Sequence, residues 1–536
     1  MNFFRRIISA FHKHEQTIYY ILLLCIVFTF SFSRYFLRIW VIIMVVLFIL
    51  NGGFRLKIQR LRHNYPLLIL SSFFFLFLLG SFYTIEFNEG LKQLRVLLPW
   101  LGLPIVIGSY PKLSNSRFYL LLRVFILGVF IHTIISYLAS IGLPFGEVDT
   151  FRDLGLYYSI HRFVLTIALA IFFLFYFIKT QYYHLNRIQL TGYFIVLFWL
   201  VIFLFYTKNL TGILVFVFIS AIYILYILYH KKNIYIRSVS LVFLLSIVVF
   251  FGIKFYEIYN DFWNLPDINE MELPEKTPDG NEYFHDTNSI RVINGHYLYL
   301  FVCGKEMREE WKERSECGYD EKTQNGRKVG NVLKKYLTSK GLHKDSVGVS
   351  QLDESDIKAI ENGIINYKYI NFDFTDRLYK TAREIYYYQK KKKPVGTLTS
   401  RIYSFKEGIK IFKRSPVIGH GTRSLMLVYD NHYAENGKTG RYYIPAHNQF
   451  LQYLIEFGII GLLWFLVAIF YPFFYIKGYK FYLFNSMLLY FVLVSQTTTI
   501  FSSQLALTIW VVFYSVFFVF FNNYPKERHK KISETF

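Results

Sequence analysis

The chain has 536 residues, 54% of them hydrophobic and 21% aromatic, with a mean hydropathy of +0.32. That is more apolar surface than a soluble domain can hide in one core, so the surplus calls for lipid. A formal net charge of +23 would suggest nucleic acid in a soluble protein, but here the basic residues gather in short links between apolar runs, which makes them a topology signal and excludes a nucleic-acid footprint.

Arg5, Arg6 and Lys13 lead into an apolar run at 18–32 without a small-residue cleavage pattern, which predicts a retained first helix. At about 20 mostly apolar residues per crossing, spans are expected at 18–32, 36–50, 66–84, 93–110, 118–140, 160–178, 190–207, 211–229, 237–255, 449–471, 481–499 and 503–522. Alternate links are basic, among them Arg55 to Arg62, Lys112 with Arg117, Lys179 with Arg187, Lys231 with Lys232, and Lys477 with Lys480. By the positive-inside rule both termini face the cytoplasm.

The expected architecture is an all-α polytopic membrane protein of about twelve transmembrane helices, with one large, mostly helical periplasmic loop between spans 9 and 10. Its parts are a bundle at 1–255, the loop at 256–448, a second bundle segment at 449–522 and a basic cytoplasmic tail at 523–536. A loop of that length is the expected home of the chemistry. Cys25 sits in an apolar run, whereas Cys303 and Cys317 share the loop and are able to pair if it lies in an oxidising compartment.

The most informative window is "SRIYSFKEGIKIFKRSPVIGHGTRS", followed by "IPAHNQFLQYLIEFGIIGLLWFL". A short amphipathic helix, a Pro-Gly turn and a His-Asn pair run straight into a membrane span. Within that span Asn448, Gln452 and Glu456 form a polar stripe turned away from His447. A carboxylate there costs about 2.5–3.5 kcal/mol on insertion scales, so Glu456 is expected to face protein or a watery cavity.

These two motifs resemble the O-antigen ligase family. His447, Asn448, Gly458 and Gly461 fit its late signature without a gap, and Arg401, Pro416, Gly419 and Gly421 fit the upstream pattern of an Arg followed by a helix ending in Pro-x-x-Gly-x-Gly. The resemblance implies a bacterial inner-membrane glycosyltransferase, with its active site facing the periplasm, that moves a glycan from undecaprenyl diphosphate to an acceptor hydroxyl. Ligation to lipid A core in lipopolysaccharide biosynthesis is the first reading. O-antigen polymerisation and protein O-oligosaccharyl transfer keep the donor and change the acceptor. A transporter for a lipid-linked glycan is the reading of another class, disfavoured by the absence of a clear inverted repeat.

In the ligase reading His447 is the catalytic residue, since a neutral imidazole can take the acceptor's proton as the diphosphate leaves. Displacement in line inverts the anomeric centre. Arg401 binds the diphosphate with a planar, permanently charged fork. The family's second arginine is missing, because Leu210 stands in its place in "TKNLTGIL"; Lys208 and Arg162 are the substitutes, with Arg152 a further alternative. Asn448, Gly458 and Gly461 are supporting residues, the glycines letting a neighbouring helix approach. The plain alternatives are a histidine that caps or anchors the span, and arginines that snorkel to the interface. Lys413, Arg414 and Arg423 fit lipid headgroups better than substrate, and His420 and His432 are read as ordinary polar residues.

Asp373 and Asp376 have no companions at metal-ligand spacing, and there is no nucleotide-binding fingerprint. Metal-independent transfer without a cofactor is expected. The partners are the lipid-linked glycan, lipid A core or another hydroxyl acceptor, and membrane lipids.

Overall fold

The computed structural model describes residues 2–522 apart from 147, 149, 231–233, 324, 370–373 and 439–442. The basic tail expected at 523–536 and Asp373 lie outside the described residues, as does the side chain of Asp376. The chain divides into two compact units, 1–223 with 403–536 and 224–402.

Helices occupy every expected span. They run α1 (Asn2–Thr29), α2 (Arg34–Leu50), α3 (Phe54–His63), α4 (Pro66–Gly80), α5 (Phe87–Ser109), α6 (Asn115–Ser140), α7 (Ile160–Gln181), α8 (Arg187–Tyr206), α9 (Leu210–His230), α10 (Ile234–Trp263), α11 (Gly304–Arg314), α12 (Val329–Lys340), α13 (Ser346–Ser350), α14 (Glu354–Glu361), α15 (Phe374–Lys391), α16 (Thr397–Phe412), α17 (Leu425–Glu435), α18 (Gln449–Tyr475), α19 (Tyr482–Ser495) and α20 (Gln504–Phe521). Among the described residues, seven helices are long and apolar enough to cross a membrane, and α2 and α3 add a pair bent by 115°. The apolar stretches His14–Thr29, Pro66–Gly80, Leu210–Tyr226 and Tyr482–Ser495 are shorter. The protein is an all-α polytopic membrane protein.

In the larger unit α20 is the central rod, buried at every position from Leu505 to Val519. A helix apolar all round is stable only when surrounded, and α20 packs on α5 and α19 while α4 packs on α5 and α18. Polar contacts collect at the two ends of this bundle. At one end Lys57, almost fully buried, pairs with Glu15 at 3.0 Å, and Glu15 also accepts from Tyr110 Oη at 2.9 Å; the partner offsets the cost of desolvating the ammonium. The opposite end carries the N-termini of α2, α7, α18 and α20. The stretch 403–448, read from the sequence as loop, belongs to this unit and docks at that end through Thr422 N, which donates to Gly80 O at 3.1 Å.

The smaller unit is built on a core of Met307, Trp311, Val332, Leu333, Tyr336 and Ile360, drawn from α11, α12 and α14. Asp353 and Asp356 form a capping box that starts α14. A two-residue hairpin pairs Val292 with Tyr297 and Ile293 with His296. Its turn is Asn294-Gly295, both at positive φ (48° and 85°), the pair a tight hairpin turn favours. Cys303 and Cys317 are free thiols.

Candidate active site

His447 is exposed and immediately precedes Asn448, the N-cap of α18. The Asn448 side chain accepts from Leu451 N at 2.9 Å, satisfying one of the helix's orphan amides. Its amide nitrogen donates to Gln496 O at 3.1 Å, tying the cap to the turn after α19. The segment leading to His447 is strapped down: Ile444 O accepts from Ser404 Oγ at 2.5 Å and from Tyr433 Oη at 3.1 Å. Ala446 is buried in a cluster with Ile411, Tyr429, Tyr433 and Leu451. An exposed imidazole thus rises from a backbone fixed on both sides.

Below it runs a buried amide ladder. Phe501 N donates to Gln449 Oε1 at 2.9 Å, Gln449 Nε2 to Gln452 Oε1 at 3.1 Å, and Gln452 Nε2 to Glu456 Oε2 at 3.1 Å. Ser502 Oγ also donates to Gln452 Oε1, at 3.0 Å. The Glu456 carboxylate further faces the backbone N–H groups of Arg423 and Leu425. A carboxylate buried at 1% exposure is tolerable only with such donors.

Gly458 does more than the helix approach expected of it, whereas a Cβ on Gly461 would meet Leu76 Cδ2 of the neighbouring α4 at 3.1 Å. Gly458, at φ 63° and ψ −162°, breaks α18, and the Pro416 to Gly421 turn enters the break. His420 N donates to Ile455 O at 2.9 Å, Gly421 N to Glu456 O at 2.8 Å, and Ile459 N to Pro416 O at 2.9 Å. Backbone groups that the break would orphan are paired by the turn. A Cβ on Gly458 would meet Val417 O at 2.1 Å, one on Gly419 would meet the Glu456 carbonyl carbon at 2.4 Å, and one on Gly421 would meet Thr84 Cα at 2.6 Å. Gly461 is enclosed by the same bend, its would-be Cβ 2.1 Å from Phe457 Cβ.

The candidate phosphate ligands divide between the two units. Arg401 is half-buried in α16, within the unit that ends at residue 402. In the bundle unit, Arg162 lies half-buried in the first turn of α7, close enough to Arg34 at the start of α2 for their charges to repel. Lys208, at φ 49°, holds its ammonium 4.3 Å from the Phe151 ring centre. The adjoining Asn209 bonds His161 Nδ1 at 3.0 Å, which joins the Lys208 turn to the turn of α7 that carries Arg162. Arg38, one turn beyond Arg34, donates to Gln504 Oε1 at 2.6 Å. The turn from Gln496 to Gln504 therefore touches Asn448 at its start and Arg38 at its end.

Arg34 is a candidate that sequence reasoning passed over. Two arginines in a link on the otherwise base-poor side of the topology, with no acid between them, was the available signal. Beneath this basic rim lie Ser31, His132 and Tyr158, all buried. Tyr158 faces Ser31 and Thr166, yet among the described residues Ser31 Oγ, Tyr158 Oη and both nitrogens of His132 complete no hydrogen bond of normal geometry.

Arg423 and Arg414 bond protein groups. Arg423 Nη1 donates to Gln93 Oε1 at 3.0 Å. Arg414 Nη2 donates to Glu435 Oε2 at 2.9 Å and to His432 Nδ1 at 3.1 Å, which leaves His432 Nε2 to donate to Glu407 Oε2 at 2.7 Å. Arg152 is exposed in the turn before α7. Among the described residues no group of three or more His, Cys, Asp or Glu is arranged to hold a metal.

Residues 363–466 match the family model described as O-Antigen ligase. No curated protein matches the chain.

Proposed function

We propose, from the match of residues 363–466 to the O-Antigen ligase family model, that the chain is a membrane glycosyltransferase of that kind and that it moves a glycan from undecaprenyl diphosphate to a hydroxyl of lipid A core. The observation that carries the reading is an exposed His447 held on a fixed cap at the same bundle end as Arg34, Arg162 and Lys208. A base and a cluster of cations are what transfer from a diphosphate requires.

In this reading His447 takes the acceptor's proton as the hydroxyl oxygen attacks the anomeric carbon. The bond to the diphosphate oxygen breaks, and the centre inverts. Arg162, with Lys208 and Arg34, neutralises charge that builds on the leaving group, and Arg401 does the same by the family motif it carries. Such stabilisation is worth most where water is excluded and the donors are already oriented. The donor being already activated, neither metal nor cofactor is required. Asn448 and the Gln449–Gln452–Glu456 ladder position the base, and the Gly458 break with its inserted turn fixes the start of α18. The site faces the periplasm of a bacterial inner membrane, with both chain termini in the cytoplasm and about twelve crossings in all.

The test is transfer by membranes that carry Arg162→Gln or Arg34→Gln at normal expression. Each is expected to raise the donor KM by about tenfold, the loss of one charge-assisted contact. An unchanged donor KM in both would remove the basic rim from the mechanism. Assaying lipid A core, a lipid-linked repeat and a protein acceptor side by side separates ligase from polymerase and from protein transferase.

A further inference from the structure

In the smaller unit three extended segments meet. Phe284 N donates to Val302 O at 2.8 Å and Val302 N to Phe284 O at 3.2 Å, while Lys344 N donates to Phe301 O at 2.9 Å and Cys303 N to Lys344 O at 2.7 Å. This pairing brings four rings together. Phe301 and His343 are stacked, with centroids 4.3 Å apart and planes 3° from parallel. Tyr283 stands edge-on to both, at 6.1 and 6.0 Å, and His285 edge-on to Phe301 at 5.2 Å.

The cluster is built rather than incidental. Phe301 sits at φ 54°, a strained conformation for a bulky residue that persists only where the surroundings impose it. Lys344, 3% exposed, imposes it from beneath, its ammonium donating to Leu300 O at 2.9 Å and Tyr297 O at 3.1 Å. Burial pushes that ammonium down to about 8. Phe301 N donates to His285 Nδ1 at 3.2 Å, so His285 Nε2 donates to Pro274 O at 3.0 Å and the ring is neutral. Tyr283 Oη donates to Asp345 and accepts from His343 Nδ1 at 3.3 Å. His343 Nε2 is thereby left as an acceptor that bonds no described residue, on a side chain 50% exposed.

We propose that the Tyr283, His285, Phe301 and His343 cluster is a sugar-binding platform whose occupant is the glycan of one of the enzyme's substrates. A pyranose presents polarised C–H groups on its faces and hydroxyls around its edge. The negative face of an aromatic or imidazole ring takes the former, and a hydrogen-bonding edge atom such as His343 Nε2 takes the latter. Rings for bulk and a few polar atoms for orientation are the composition of a small-molecule site. The rings are uncharged, since burial also holds the His343 imidazole below its ordinary range, which suits a neutral polyhydroxyl ligand better than an anion. The proposal rests on the transferase reading above for the statement that glycans are at hand.

The test uses the full chain in lipid nanodiscs and two probes, core oligosaccharide freed from lipid A by mild acid and the repeat glycan freed from its lipid carrier. Binding is read by saturation-transfer NMR, and stability by thermal unfolding. One probe or both bind the wild type and His447→Ala alike; His343→Ala weakens that binding by about tenfold at an unchanged unfolding temperature, and His343→Phe, which keeps a ring, restores most of it. The probe that binds tells whether the platform serves acceptor or donor. If neither probe binds the wild type, or if His343→Ala binds as well as the wild type, the platform is overturned. Because binding is read without catalysis, a failure of the transferase reading, seen as undiminished transfer by His447→Ala, stays separate from this result.

Discussion

The amide of Gly421 donates to the carbonyl of Glu456 at 2.8 Å, so a turn carrying one family motif closes a break in the helix carrying the other. The two motifs are parts of one backbone joint. The joint leaves a Cβ at Gly421 or Gly458 no room, and both residues hold positive φ.

Gly458→Ala or Gly421→Ala is therefore expected to cost at least about 1–3 kcal/mol, the usual penalty of a strained conformation, before any steric shift is added. Thermal unfolding in detergent measures it. Gly192→Ala in α8 is the control, since nothing lies within 4 Å of its would-be Cβ and its unfolding temperature should not fall.

Removing the Glu456 carboxylate should unsettle the same joint from the side-chain direction. In Glu456→Leu, Gln452 Nε2 loses its acceptor, at about 1–3 kcal/mol for a buried group left unsatisfied. Glu456→Gln keeps one carbonyl oxygen and is expected to lose less. Equal destabilisation of the two variants would show that the acceptor does not matter.

Asn448→Ala removes both the cap of α18 and its tie to Gln496. Loss of an N-cap costs about 1 kcal/mol, a modest stability change. The larger effect is expected on turnover, because His447 stands one residue away. A kcat that falls with the KM for donor and acceptor unchanged identifies positioning of the base; a rise in KM alone places Asn448 in substrate binding.

The Glu407 site gives a pH prediction. Burial alone would raise this carboxyl, but hydrogen bonds from His432 and Lys410, with Lys438 nearby, hold it below its ordinary value of 4.5. A carboxylate whose pKa is depressed on folding stabilises the fold above its unfolded value and loses that contribution as the pH falls toward the folded one. Unfolding should become easier as the pH drops below 4.5, and Glu407→Gln should flatten that dependence. An identical acid profile for the variant would mean that Glu407 contributes nothing to it.

Much of the bundle was legible in the sequence because hydropathy is a local signal, and each apolar run needs only its own residues to declare itself. The cap of α18 was read one residue early, with His447 as the capping alternative and Asn448 inside the span, because either polar residue can precede an apolar run. The role of Gly458 was not, since its partners Pro416 and Val417 lie some forty positions earlier and no periodicity links them. Arg34 was passed over because the second arginine was sought at the family motif's own position near Leu210 and beside α7, not in the short link before α2. In the loop, attention to helical stretches hid Asn294-Gly295, a hairpin signal written in two residues. The ring cluster of Tyr283, His285, Phe301 and His343 comes from three separate segments and becomes visible only once they are folded together.

The central claim is that His447 is the base of a glycan transfer, and the most direct measurement is transfer from the lipid-linked donor to lipid A core by membranes carrying His447→Ala at normal expression and insertion. The account predicts a loss of at least about a hundredfold, the scale of general-base contributions, with donor binding retained. Transfer undiminished by the substitution would contradict it and leave His447 as an interfacial residue ahead of the cap.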